Sequence, residues 1–150
     1  MFYLNTDASA FAISTVLLQK HGENLLPIAY FSKALRKAET KYPAIQLELM
    51  AIVKGISAFR NILFGRQFTI LSDSKPLDKY KKTNSSAGIV TRWLMELAEY
   101  QFIFQHVPGK QNILADFLSR TPFDKNSTDV NRNPQIMHEV LPIVEQDPKE

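Results

Sequence analysis

Three strand-type runs follow one another at the head of the chain, at Phe2 to Asn5, Phe11 to Gln19 and Leu26 to Phe31, before any helical pattern begins. Between the second and third lies His21-Gly22-Glu23-Asn24, whose Gly and Asn tolerate the left-handed backbone of a tight connection, so the three runs are predicted to form a meander. The period then changes. Pro43 stands where a helix can begin, and Ile45, Leu49, Ile52, Ile56 and Phe59 recur at helical spacing up to Gly65, which predicts one long amphipathic helix. Gln67 to Leu71 reads as a strand, Lys75 to Lys82 as a short polar helix or turn, Ile89 to Tyr100 as a second amphipathic helix, and Gln101 to Val107 as a last strand. Pro108-Gly109 ends that strand, and Asn112 can cap a final helix with Ile113, Leu114, Phe117 and Leu118 along one face. A meander followed by alternating elements predicts an α/β chain, with a mixed sheet flanked by helices.

The pattern stops at Arg120. Residues 121–150 carry prolines at 122, 134, 142 and 148 among polar residues, with one short apolar patch from Leu141 to Val144. Charge divides at the same place: residues 1–120 hold 15 basic and 9 acidic residues, a net of +6, and residues 121–150 hold 3 and 6, a net of −3. The expected organisation is therefore one domain over 1–120 and an acidic, Pro-containing linker or tail over 121–150. A basic domain suits a polyanionic partner, because phosphate contacts release counterions. The absence of cysteine excludes a disulfide scaffold, a thiolate metal site and a cysteine nucleophile, and it fits a reducing compartment. No run approaches the roughly 18 apolar residues of a membrane span, and MFYLNTDAS has neither the basic nor the apolar segment of a signal peptide. Neither membrane association nor secretion is expected.

Function is best sought in carboxylates that stand where a core is expected, since burying one unpaired is costly. Asp7 follows the first apolar run, and Asp73 follows Phe68-Thr69-Ile70-Leu71-Ser72 in the same strand-then-acid arrangement. With Ile45 at zero on a helical wheel, Glu48 lies near about 300°, beside Ile52 at about 340° and Phe59 at about 320°, so it shares the apolar face. Asp116 falls early in the last helix. Each has an ordinary alternative: a turn for Asp7, a snorkelling edge residue for Glu48, a cap for Asp73 and a dipole partner for Asp116. Together, two strand ends and two helix faces can bring four carboxylates to one sheet edge, where oxygen ligands without Cys or a His cluster select Mg²⁺ or Mn²⁺. Two such ions roughly 3.5–4 Å apart can stabilise both oxygens of a phosphodiester displacement. His106, at the end of the last strand, is a candidate proton relay.

The segments TDASAFAISTVLLQ, PIAYFSKALRKAETKYPAIQLELMAIV, FGRQFTILSDSKPL, RWLMELAEYQF and PGKQNILADFLSR resemble, in order over residues 2–120, the ribonuclease H domain of gypsy-type LTR retrotransposon reverse transcriptases. The resemblance implies a ribonuclease H-like fold with a five-stranded mixed sheet. Asp7 in TDAS, Glu48 in LELMA, Asp73 in LSDS and Asp116 in LADFLSR match the family's four metal-binding acids. They imply two Mg²⁺ ions, for which Mn²⁺ can substitute, and attack of water on the RNA strand of an RNA–DNA hybrid, leaving 3′-hydroxyl and 5′-phosphate ends. The implied partners are the hybrid and a polymerase domain of the same Pol polyprotein. The implied location is the cytoplasm, in a virus-like particle, with the nucleus as a second site. Since the sequence starts directly before its first strand, it is expected to be one domain of that polyprotein, its tail leading toward an integrase.

Some positions depart from the pattern. Ser14 and Ser74 stand where many relatives have Gly and His. His106 and Asn112 keep the spacing to Asp116 of a loop His and an Asn in cellular ribonucleases H. Tyr80 to Arg92 has no counterpart of the basic helix with which some cellular enzymes grip the hybrid, so weak intrinsic hybrid affinity is expected. Two rivals stay in view. A catalytically silent tether of the same fold is disfavoured by retention of all four acids, and a DNA strand-transferase of the same fold is disfavoured because Glu48 comes second in order, not last.

Overall fold

β1 (Phe2–Ala8), β2 (Ala12–His21) and β3 (Asn24–Ala34) form the antiparallel meander in the computed structural model, which describes residues 1–82 and 88–108. A 3₁₀ turn (Glu39–Lys41) leads to α1 (Ala44–Ala58) and α2 (Arg60–Leu63). Then come β4 (Gln67–Ser72), α3 (Pro76–Lys82), α4 (Gly88–Leu97) and β5 (Gln101–His106). The strand order is β3-β2-β1-β4-β5, and both the β1–β4 and β4–β5 pairs are parallel. This is the expected α/β architecture with a five-stranded mixed sheet. The helix expected after Asn112, and with it Asp116, lies outside the described residues.

One face of the sheet is made by Leu4, Ile13, Leu17, Phe68 and Ile70, which share a cluster with Leu49, Ile52, Val53 and Ile56 of α1, all 1% exposed or less. Burying side chains of this size contributes about 1.5–3 kcal/mol each, enough to hold α1 in one orientation on the sheet. The approach is close. A Cβ at Gly55 would sit 2.4 Å from Thr15 Oγ1 and 2.6 Å from Thr15 Cγ2, and the Thr15 hydroxyl donates to the Ala51 carbonyl at 3.2 Å. The other face carries Val16, Leu18 and Leu71 with Tyr3, Tyr30 and Val107 around them. The hairpin of β2 and β3 turns at Gly22, whose φ of +59° is the left-handed conformation expected there.

Two expectations need correction. The single helix from Pro43 to Gly65 is two, because Phe59, at φ −107° and ψ 23°, leaves the helical path between α1 and α2. Tertiary packing sets that break: the Phe59 side chain is buried. The next residue, Arg60, donates from Nη1 to the Tyr100 hydroxyl at 2.8 Å, with its guanidinium 4.4 Å from the centre of the Phe64 ring. The first strand, expected to end before Asp7, instead runs on to Ala8, with Asp7 opposite Ser14 in the ladder. The partner strand supplies what propensity lacks.

Candidate metal centre

Asp7 is buried at 3% exposure on β1, the strand with β2 on one side and β4 on the other. Its backbone is fixed by the ladder, so its carboxylate leaves the sheet from an immobile base. Glu48 lies in the second turn of α1, half-buried, among the buried residues Leu47, Leu49 and Ile52 that seat the helix. Asp73 is exposed, one residue beyond the end of β4. Each offers a carboxylate oxygen, and the three oxygens all lie within 4.8 Å of one another. The sequence separations are long, so the fold brings them together: β1 and β4 are parallel neighbours, and α1 connects the meander to β4 across the same end of the sheet.

The turn at Asp73 is held by hydrogen bonds on both sides. The Ser74 N–H donates to Ser72 Oγ at 3.3 Å, and the Val107 N–H donates to the Ser72 carbonyl at 2.8 Å. His106, the last residue of β5, sits opposite Ser72 in the ladder, and its Nε2 is 3.0 Å from the Asp73 carbonyl oxygen. His106 thus stands at the end of the last strand, as expected, with its ring against the main chain of Asp73. Asp116 and Asn112 fall outside the described residues.

Beside Glu48 opens a hollow of about 380 Å³, walled by Ala8, Ser9 and Ala10 on the turn after β1 and by Thr40 and Tyr42 on the approach to α1. Both walls are braced. Ser9 Oγ accepts from the Phe11 and Ala12 N–H groups, each at 3.2 Å. Glu39, in the 3₁₀ turn, accepts from Lys33 Nζ at 2.8 Å on both oxygens and from the Arg36 N–H at 3.0 Å. Burial raises the Glu39 pKa, but the Lys33 hydrogen bond, the Arg36 N–H and the two cations outweigh it and hold the carboxyl below its ordinary value. These braces were missed in the sequence. Ser72-Asp73-Ser74 carries a weak turn signal, whereas the Lys33–Glu39 pair looks like two ordinary surface charges.

The donor set is chemically coherent for a hard divalent ion. It consists of oxygens alone, it lacks the thiolate or imidazole cluster that zinc or iron sites use, and three like charges this close repel unless a cation lies between them. Asp7, Glu48 and Asp73 are the residues among those described that are able to hold one.

The chain is similar to known proteins. The sequence model for the RNase H-like domain found in reverse transcriptase matches residues 1–100, a stretch containing all three acids. The chain is 42% identical over 125 residues to the retrovirus-related Pol polyprotein from transposon 297 of Drosophila melanogaster, covering 83% of this chain and 11% of that one. It is 39% identical over 119 residues to the polyprotein from transposon 412 of the same organism, covering 79% and 10%. The chain therefore spans about a tenth of the length of these relatives. Among solved structures it resembles the foamy viral protease-reverse transcriptase dRH in complex with dsDNA, with a TM-score of 0.59 and 20% identity over 71% of this chain and 19% of that one. It also resembles LC11-RNase H1 in complex with RNA/DNA hybrid, at 0.56 and 14% over 78% and 91%. These two likenesses are of fold, and the sequence match is of descent. The chain belongs to the family of RNase H-like domains found in reverse transcriptase, homologous to those of retrotransposon Pol polyproteins.

Proposed function

We propose that the chain is a Mg²⁺-dependent endoribonuclease domain that hydrolyses the RNA strand of RNA–DNA hybrids during reverse transcription of an LTR retrotransposon, beside the polymerase domain of the same Pol polyprotein. The observation that carries this reading is the meeting of Asp7, Glu48 and Asp73 oxygens within 4.8 Å. The solved neighbour that holds an RNA/DNA hybrid and the Pol polyprotein relatives support it. Asp116 is the fourth acid of the proposed site.

Divalent cations, when bound, supply Lewis-acid stabilisation to the attacking and leaving oxygens of an in-line displacement at phosphorus. The chain's own residues do the positioning. Asp7 gives a ligand on a rigid, buried base, and Glu48 brings a second from a helix pinned by its apolar face. Asp73 completes the set from the exposed side, where a phosphate backbone approaches. The hollow beside Glu48 leaves room for sugars flanking the scissile phosphate.

The test is cleavage of an end-labelled RNA–DNA hybrid in Mg²⁺ by the unsubstituted chain and by Asp73→Asn. The expected result is shortening of the RNA strand alone, abolished by the substitution. Equal cutting by both proteins would remove the mechanism. A folded, Mg²⁺-saturated chain that cuts nothing would favour the silent tether.

A further inference from the structure

Metal binding by the three acids leaves His106 without a task, and its surroundings supply one. His106 closes β5 opposite Ser72, and its Nε2 is 3.0 Å from the Asp73 carbonyl oxygen. A carbonyl oxygen only accepts, so His106 Nε2 carries a proton and donates it. The following residue adds a parallel tie, with the Val107 N–H donating to the Ser72 carbonyl at 2.8 Å. Two successive carbonyls, of Ser72 at the end of β4 and of Asp73 beyond it, are thus gripped by Val107 and by His106 at the end of β5. Asp73 needs this grip more than the other acids do. Asp7 sits in a ladder and Glu48 in a helix, whereas Asp73 is exposed and one residue past its strand. A ligand on a free turn loses conformational entropy whenever an ion binds, and holding the turn beforehand removes part of that cost.

We propose that His106 is a positioning residue for Asp73, its imidazole fixing the main chain of the turn so that the carboxylate stays beside Asp7 and Glu48. This rests on the metal-centre reading. It differs from the proton-relay role read from the sequence, because His106 Nε2 is committed to the main chain of Asp73.

The test uses the 150-residue chain with His106→Leu, which removes the donor, and His106→Gln, whose amide can donate to the same carbonyl without acid–base chemistry. Affinity for Mn²⁺ alone is read by titration, and the Asp73 carbonyl carbon resonance is read by NMR in the metal-free protein. The Leu variant is expected to bind Mn²⁺ about three- to tenfold more weakly, the range one net hydrogen bond spans, and to shift the carbonyl resonance. The Gln variant is expected to restore both. An unmoved resonance in the Leu variant overturns the proposal, whatever the metal does. So does Mn²⁺ affinity unchanged in both variants, and if both then lose cleavage the ring belongs to proton transfer. Failure of the unsubstituted chain to take up Mn²⁺ would strike the metal-centre reading instead, since the carbonyl resonance reports on the brace without metal.

Discussion

Gly55→Ala should destabilise this protein although alanine is the better helix former. Gly55 lies inside α1, where helix propensity alone favours alanine by about 1 kcal/mol. Packing against β2 opposes that gain with a greater cost. The added Cβ would meet Thr15 Oγ1 at 2.4 Å, Cγ2 at 2.6 Å and Cβ at 2.9 Å, none of which is the end of a flexible side chain. Relieving such overpacking costs about 1–3 kcal/mol, and turning Thr15 away forfeits its hydrogen bond to the Ala51 carbonyl, worth about 1 kcal/mol more. The net expectation is a loss of about 1–3 kcal/mol. Urea unfolding at matched slope measures it, and Thr15→Ala in the Gly55→Ala background, which removes two of the three clashing atoms, should recover part of the loss as a favourable coupling. There is a functional corollary: Glu48 sits two turns earlier on α1, so a helix lifted from β2 should also bind Mn²⁺ more weakly. A Gly55→Ala protein as stable as the parent, or more so, would refute the close contact and the argument built on it.

Other outcomes follow from the same structure. Raising Mg²⁺ to about a hundred times its dissociation constant should stabilise the folded chain by about 2.7 kcal/mol, seen as a rise in melting temperature that Asp7→Asn abolishes. Because the Glu39 pKa is lowered in the folded state, its contribution is present above the ordinary carboxylate pKa and is lost as pH falls through the lowered value. The parent should therefore lose more stability on acidification than Glu39→Gln does, measured as urea midpoints across that range. Hybrid binding by the isolated chain should be weak and should fall steeply with salt, read by fluorescence anisotropy; tight binding that persists at high salt would contradict it.

The sequence was most legible where local pattern and tertiary contact agree. The three early strands, α1 and the parallel pair after it follow from periodicity, and three of the four acids read as candidates do meet in space. The departures have physical causes. Phe59 breaks the long helix because its neighbours reach across the fold, with Arg60 bonded to Tyr100 forty residues away. Asp7 reads as a strand end because aspartate is a poor strand former, yet the ladder opposite Ser14 carries it inside β1. The ties that hold Asp73 come from a residue 33 positions downstream, and the Lys33–Glu39 brace acquires its meaning only once the 3₁₀ turn folds back on β3. Interactions of that range leave no periodic trace in a single sequence.

The placement of β1 between β2 and β4 has a consequence for how the protein breathes. Leu4 and Asn5 are paired on both edges, so deuterium should enter there only through global opening, whereas the turn at Asp73, exposed and held by fewer bonds, should exchange sooner. A cation bridging Asp7 and Asp73 would join a central strand to a more exposed turn. Occupancy of the centre should then be visible as a selective slowing of exchange around Ser74 and Val107, with the strand amides already at their limit.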